Sequence, residues 1–122
     1  MTLQLLKQNF SICKLASPAQ ADLTQEFVFL HVTDEEVSLV CQTAHTPNGV
    51  VAADTGWKAL RVSGILDFGL IGVLSSITNV LAGAGVSVFA LSTYNTDYLL
   101  VKAASLEAGI KALVGNGYTV ER

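Results

Sequence analysis

Between residues 57 and 122 the hydrophobic pattern changes period repeatedly, and few folds are open to a chain that does this. Residues 57–66 (WKALRVSGIL) roughly alternate, with Lys58, Arg61 and Ser63 set among Trp57, Leu60, Val62 and Ile65, as in a strand with one wetted face. Beyond Asp67-Phe68-Gly69, the apolar residues Leu70, Val73, Leu74, Ile77, Val80 and Leu81 recur at helical spacing, with Ser75, Ser76, Thr78 and Asn79 on the other face. This spacing predicts a helix over 69–81 that stops at Gly83-Ala84-Gly85, where glycine can turn left-handed without a Cβ clash. The apolar run 86–92 and the segment 98–103 flank the turn-rich Thr93-Tyr94-Asn95-Thr96-Asp97, which predicts a hairpin. Ser105 as an N-cap, with Leu106, Ile110 and Leu113 along one face, predicts a second helix over 106–113. A last strand at 118–121 follows Gly115-Asn116-Gly117. The order is therefore strand, helix, strand, strand, helix, strand, an α+β arrangement.

The first half echoes this order in shortened form. Strands are expected at 10–15, 27–33 and 37–41, with Asp34-Glu35-Glu36 turning between the last two, while residues 16–25 hold Pro18 and too few periodic apolar residues for more than one helical turn. The expected division is a reduced unit at 1–56 and a complete one at 57–122. Asp54-Thr55-Gly56 forms the junction and, because no linker intervenes, a single continuous core is expected.

Charge narrows the partners. Seven Lys and Arg stand against ten Asp and Glu, and the basic residues are scattered singly, so nucleic acid finds no footprint and an anionic membrane no polybasic patch. No apolar stretch approaches the roughly 20 residues that span a bilayer. Residues 1–15 lack the pattern of a secretory leader, so a cytoplasmic location is expected, with Cys13 and Cys41 as buried free thiols. A hydrophobic fraction of 51% beside a charged fraction of 14% leaves apolar surface for a partner, and a homodimer is expected.

Catalytic groups are scarce. His31 lies in an apolar run and His45 in a Pro-containing loop, neither at a signature spacing from a nucleophile, and Cys13, His31, Cys41 and His45 show no paired metal-ligand spacing. Asp67-Phe68-Gly69 lacks every other part of a kinase, and Gly83-x-Gly85 follows a helix where a dinucleotide fingerprint would precede one. No catalytic residue, metal or cofactor is expected. What remains is a binding geometry. A strand passes through a glycine-containing turn into a helix, so that the amides of Leu70 to Gly72 would be the unpaired donors of a positive helix end, suited to a carboxylate. Asp67 beside it, and Thr93, Asn95 and Asp97 on the hairpin, offer acceptors for an ammonium group. On residue types alone the plainer reading, in which Asp67 caps the helix and Asn95 and Asp97 shape a turn, is the favoured one.

The order of elements, together with WKALRVSG at 57–64, Gly69 to Gly72, and the segment 86–98 with its STYNTDYLLV core, resembles an ACT domain, and within that family the CASTOR-like amino-acid-sensing branch. DEEVSLV at 34–40 carries a looser likeness into the first half. The resemblance implies a ferredoxin-like βαββαβ fold, present as a shortened N-terminal ACT-like unit and a complete C-terminal one. It implies a non-enzymatic regulatory protein that binds a free amino acid at an interface between ACT units. Carried over by position, the ligand-binding residues are Asp67, Gly69, Leu70, Ile71, Ser87, Val88, Thr93, Asn95 and Asp97. The alternatives are a structural homodimer with a vestigial site and a small enzyme using Asp97 or His31.

Overall fold

In the computed structural model, which describes residues 1–122, the first strand pairs far from its neighbours in sequence. β1 (Thr2–Leu5) sets Leu3 opposite Val62 and Leu5 opposite Leu60 in antiparallel register, and runs parallel to the last strand with Leu3 beside Val120. Its four residues alternate through two repeats, the least a strand can show: Leu3 and Leu5 join one face and Thr2 and Gln4 the other. Met1–Lys7 therefore forms one unit with Lys58–Arg122, and Gln8–Trp57 forms the second. β1 thus pairs with strands of the larger unit although its residues precede those of the smaller one.

The larger unit orders its strands β6 (Phe89–Ser92), β7 (Asp97–Lys102), the latter part of β5 (Ala52–Val62), β1 and β8 (Thr119–Glu121). Two helices, α1 (Val73–Gly83) and α2 (Leu106–Gly115), supply Ile77, Leu81 and Leu113 to a core completed by Leu3, Leu60, Val62, Leu99 and Val101 from the strands. Each such side chain contributes about 1.5–3 kcal/mol by leaving water. The expected start of the first helix is corrected: α1 begins at Val73, not Gly69, because Gly72 at its N-cap has φ 79°, a left-handed backbone that cannot continue a right-handed helix backward. Residues 69–72 are loop.

The smaller unit orders its strands β3 (Phe29–Val32), β4 (Val37–Gln42), β2 (Phe10–Leu15) and the first part of β5, the same succession as in the larger unit without the intercalated β1. Single 3-10 turns replace both helices. Pro18–Gln20 stands in place of the first, closed by a capping box between Ser17 and Gln20, and Thr43–His45 in place of the second. The two hairpins are built alike. Thr33 N–H donates to Glu36 O at 3.0 Å and Thr93 N–H to Thr96 O at 2.8 Å, and each threonine hydroxyl donates to the same carbonyl. The smaller unit is thus a shortened copy. It buries its own set, Cys13, Leu15, Leu39 and Cys41, so the single continuous core expected from the sequence is replaced by two. Both thiols are free, and burial raises their pKa values, that of Cys41 to about 11 with the neighbouring Cys13 adding to the effect. No helix is long and apolar enough to cross a membrane.

Candidate functional site

The β6–β7 hairpin and the loop from Leu66 to Gly72 stand on either side of a cleft of about 390 Å³, floored by the start of α1. Its size lies at the lower end of small-molecule sites. The hairpin wall is fixed from within. Thr96, 8% exposed, donates its hydroxyl to Val62 O at 2.6 Å, and Leu66 N–H donates to Asn95 O at 2.7 Å, tying the loop to the turn. Across the hairpin Ser92 pairs with Asp97, and the serine hydroxyl donates to Asp97 Oδ1 at 2.5 Å, which leaves Oδ2 as the further acceptor. On the other wall Asp67 shapes its own loop: its Oδ1 accepts from Gly69 N–H at 2.6 Å and its carbonyl from Leu70 N–H at 3.0 Å.

Two expectations change accordingly. Asp67 does not cap the helix, whose N-cap is Gly72 with no side-chain bond. Nor do Leu70 to Gly72 supply the first helical amides. The first helical bond runs from Ser76 N–H to Gly72 O, so the donors without helical acceptors are those of Val73, Leu74 and Ser75. All three residues line the cleft.

Of the residues carried over from the resemblance, Asp67, Leu70, Thr93, Asn95 and Asp97 share the cleft wall. Gly69 and Ile71 lie on the same loop off that wall, Ile71 being 96% exposed. Ser87 and Val88 line a different depression, with Thr78, Ala82 and Val86. The structure adds Leu66, Phe68, Val73, Leu74, Ser75, Ser92, Tyr94 and Thr96, which the sequence did not single out. Phe68 and Tyr94 meet edge to face at 5.0 Å, joining loop to hairpin tip. Ser92 could have been found from Asp97 once the hairpin register was known, and Thr96 from the threonine pair that opens and closes the turn. Among the lining residues Asp67 and Asp97 are the charged ones, with no Lys, Arg or His. Such a wall can accept a cation at its carboxylates and an anion at the helix amides, and it disfavours a second anionic group.

A family model for the ACT domain matches residues 52–114. Among solved structures, the protein Atu0741 from Agobacterium tumefaciens is 32% identical, with a TM-score of 0.85 over 98% of this chain and 90% of that one. VC0802 from Vibrio cholerae, described as a protein of unknown function and possible transport protein, is 16% identical with a TM-score of 0.76, covering 91% and 85%. The ligand-free regulatory subunit of aspartate kinase from Thermus thermophilus is 10% identical with a TM-score of 0.66, covering 93% and 95%, a likeness of fold. No curated protein sequence matches the chain. The matched span, more than half of the residues, and the identity to Atu0741 together make the chain a member of the ACT domain family.

Proposed function

We propose that this protein is a non-enzymatic regulator that binds a free amino acid in the cleft of its larger unit, as a member of the CASTOR-like amino-acid-sensing branch. The observation that carries the reading is the opposition of charge across one small cleft: Asp97, with one carboxylate oxygen beyond its bond to Ser92, and the leading amides of α1. Asp97 takes the ammonium group, and the amides of Val73 to Ser75 take the carboxylate. Leu66, Phe68, Leu70, Leu74 and Tyr94 receive an apolar or neutral side chain, and Asp67 leaves room for a basic one. A ligand with a second carboxylate is disfavoured.

A second copy of the chain covers the cleft in this reading. Phe68, Leu70 and Tyr94 on the cleft wall, and Ile65 and Ile71 on the segment that leads into and through its loop, all expose large apolar side chains, which is costly for a monomer in water. Ligand binding then signals by changing self-association or the face shown to another protein. Titration calorimetry against the twenty amino acids tests the binding claim. Heat from one or a few neutral or basic amino acids is expected, and no heat at millimolar concentration would sink it. Sedimentation equilibrium with and without the ligand tests the dimer, which a monomer mass at tens of micromolar would rule out.

A further inference from the structure

The chain contains two Asn-Gly pairs, Asn48-Gly49 and Asn116-Gly117, each exposed, and they meet very different constraints. Asparagine before glycine is the sequence most open to deamidation, because the glycine leaves its own amide nitrogen sterically free to attack the asparagine side chain. The reaction then depends on whether that nitrogen and that carboxamide can reach one another.

At Asn116 both reacting groups are held. The side-chain Nδ2 donates to Ala112 O at 2.8 Å, and Gly117 N–H donates to Val114 O at 3.1 Å. These bonds close the C-terminus of α2, so the attack requires unwinding its last turn. At Asn48 neither reacting group makes a hydrogen bond of its own. The pair lies in a turn with Gly49 at φ 72°, and its two carbonyls both accept from Gln20 Nε2, at 3.1 and 3.2 Å, while the Gly49 amide and the Asn48 carboxamide have no partner. These two bonds steady the Asn48–Gly49 peptide through a single side chain, and the attack needs that one contact to give, not a turn of helix to unwind.

We propose that Asn48 is a site of spontaneous deamidation in the folded protein and that Asn116 is protected. The deprotonated Gly49 nitrogen attacks Asn48 Cγ, a C–N bond forms, and the side-chain nitrogen leaves as ammonia to give a five-membered succinimide. Water then opens the ring at either carbonyl. One product is aspartate and the other isoaspartate, in which the backbone runs through the former side chain. Either product adds a negative charge, and isoaspartate also displaces the Asn48 carbonyl that Gln20 holds. Because Gln20 Oε1 accepts from Ala16 and Ser17 N–H on the other side, the change reaches the turn that replaces the first helix of the smaller unit.

Two hydrogen bonds protect Asn116, so its conversion should be roughly thirty-fold slower than that of Asn48, equivalent to about 2 kcal/mol. Trypsin separates the two sites cleanly, since residues 15–58 and 112–122 each contain a single asparagine. The folded protein is incubated in mildly alkaline buffer at 37 °C, with a parallel sample in guanidinium, and the gain of one dalton is followed in each peptide. Faster conversion of 15–58 in the folded sample, with comparable rates in guanidinium, is expected. Equal or reversed rates in the folded protein would overturn the proposal, as would the same disparity in guanidinium, since the fold would then not be its cause. The Asn48→Gln variant must abolish the gain in 15–58; if the gain persists, it arises at a glutamine and the assignment fails.

Discussion

Replacing Thr96 by Val tests whether the hairpin wall of the cleft is held from inside. The substitution keeps shape and β-branching and removes one hydroxyl, the group that donates to Val62 O at 2.6 Å in a place only 8% exposed. Leaving a buried carbonyl without its donor costs about 1–3 kcal/mol, so about 2 kcal/mol is the working value. At roughly 2.1 cal/mol/K of unfolding entropy per residue, a chain of this length loses about 4 °C for each kcal/mol, which makes the expected fall about 8 °C. Thr93 provides the internal control. Its hydroxyl donates to Thr96 O at 3.2 Å beside solvent, and the backbone N–H of the same residue already donates to that carbonyl. Thr93→Val should therefore move the melting temperature by no more than about 2 °C. Thermal melts of both variants by circular dichroism decide the matter. If Thr96→Val melts within 2 °C of the parent protein, or no lower than Thr93→Val, the buried hydroxyl does not hold the hairpin.

Asp97→Asn should weaken amino-acid binding by about ten- to a hundred-fold in calorimetry, the loss of one charge-assisted bond, while the melt changes little, since the Ser92 hydroxyl can still donate to the amide oxygen; intact binding would remove Asp97 from the site. Gly72→Ala places a Cβ at φ 79° in otherwise open space, so its cost is the backbone penalty alone, about 1–2 kcal/mol, and a melt identical to the parent would refute the left-handed N-cap. Burial raises the Cys41 thiol from 9.0 to about 11 in the fold, so the contribution is whole below about pH 9 and is lost as the pH rises toward 11. Stability should fall across that window, and fall less in Cys41→Ala; an equal decline in both would trace it to another group. Ellman's reagent should react with Cys13 and Cys41 at neutral pH only after unfolding.

The hairpin and the two helices of the larger unit were legible because their apolar residues recur at strand or helix spacing and their turns carry Gly, Asn, Asp and Thr. The start of α1 was misread for a definite reason: Leu70 falls on the helical stripe, and periodicity cannot see that Gly72 takes a left-handed backbone. β1 was invisible because Thr2 to Leu5 holds only two repeats of alternation, the least a strand can show, and its partners lie at 60–62 and 119–121. The division of the core was hidden for a related reason, since alternation tells which face of a strand is buried but not what it is buried against. In the candidate site, Asp67, Thr93, Asn95 and Asp97 could be grouped from the sequence because each belongs to one of two loops at the same end of adjacent strands. The apolar lining could not, because Phe68 and Tyr94 are neighbours across two loops, a contact that accompanies the Leu66–Asn95 bond and that no local spacing shows.

The intercalated β1 also sets an order of events during synthesis. Residues 2–5 leave the ribosome long before their partners, so Leu3 must wait for Val62 and then for Val120 before both of its edges are paired. The smaller unit needs only β2, β3, β4 and the first part of β5, all made before the rest of the larger unit, and can close while β1 is still unpaired. Pairings between such distant residues form slowly, so the β5–β1–β8 side of the larger unit's sheet is completed last.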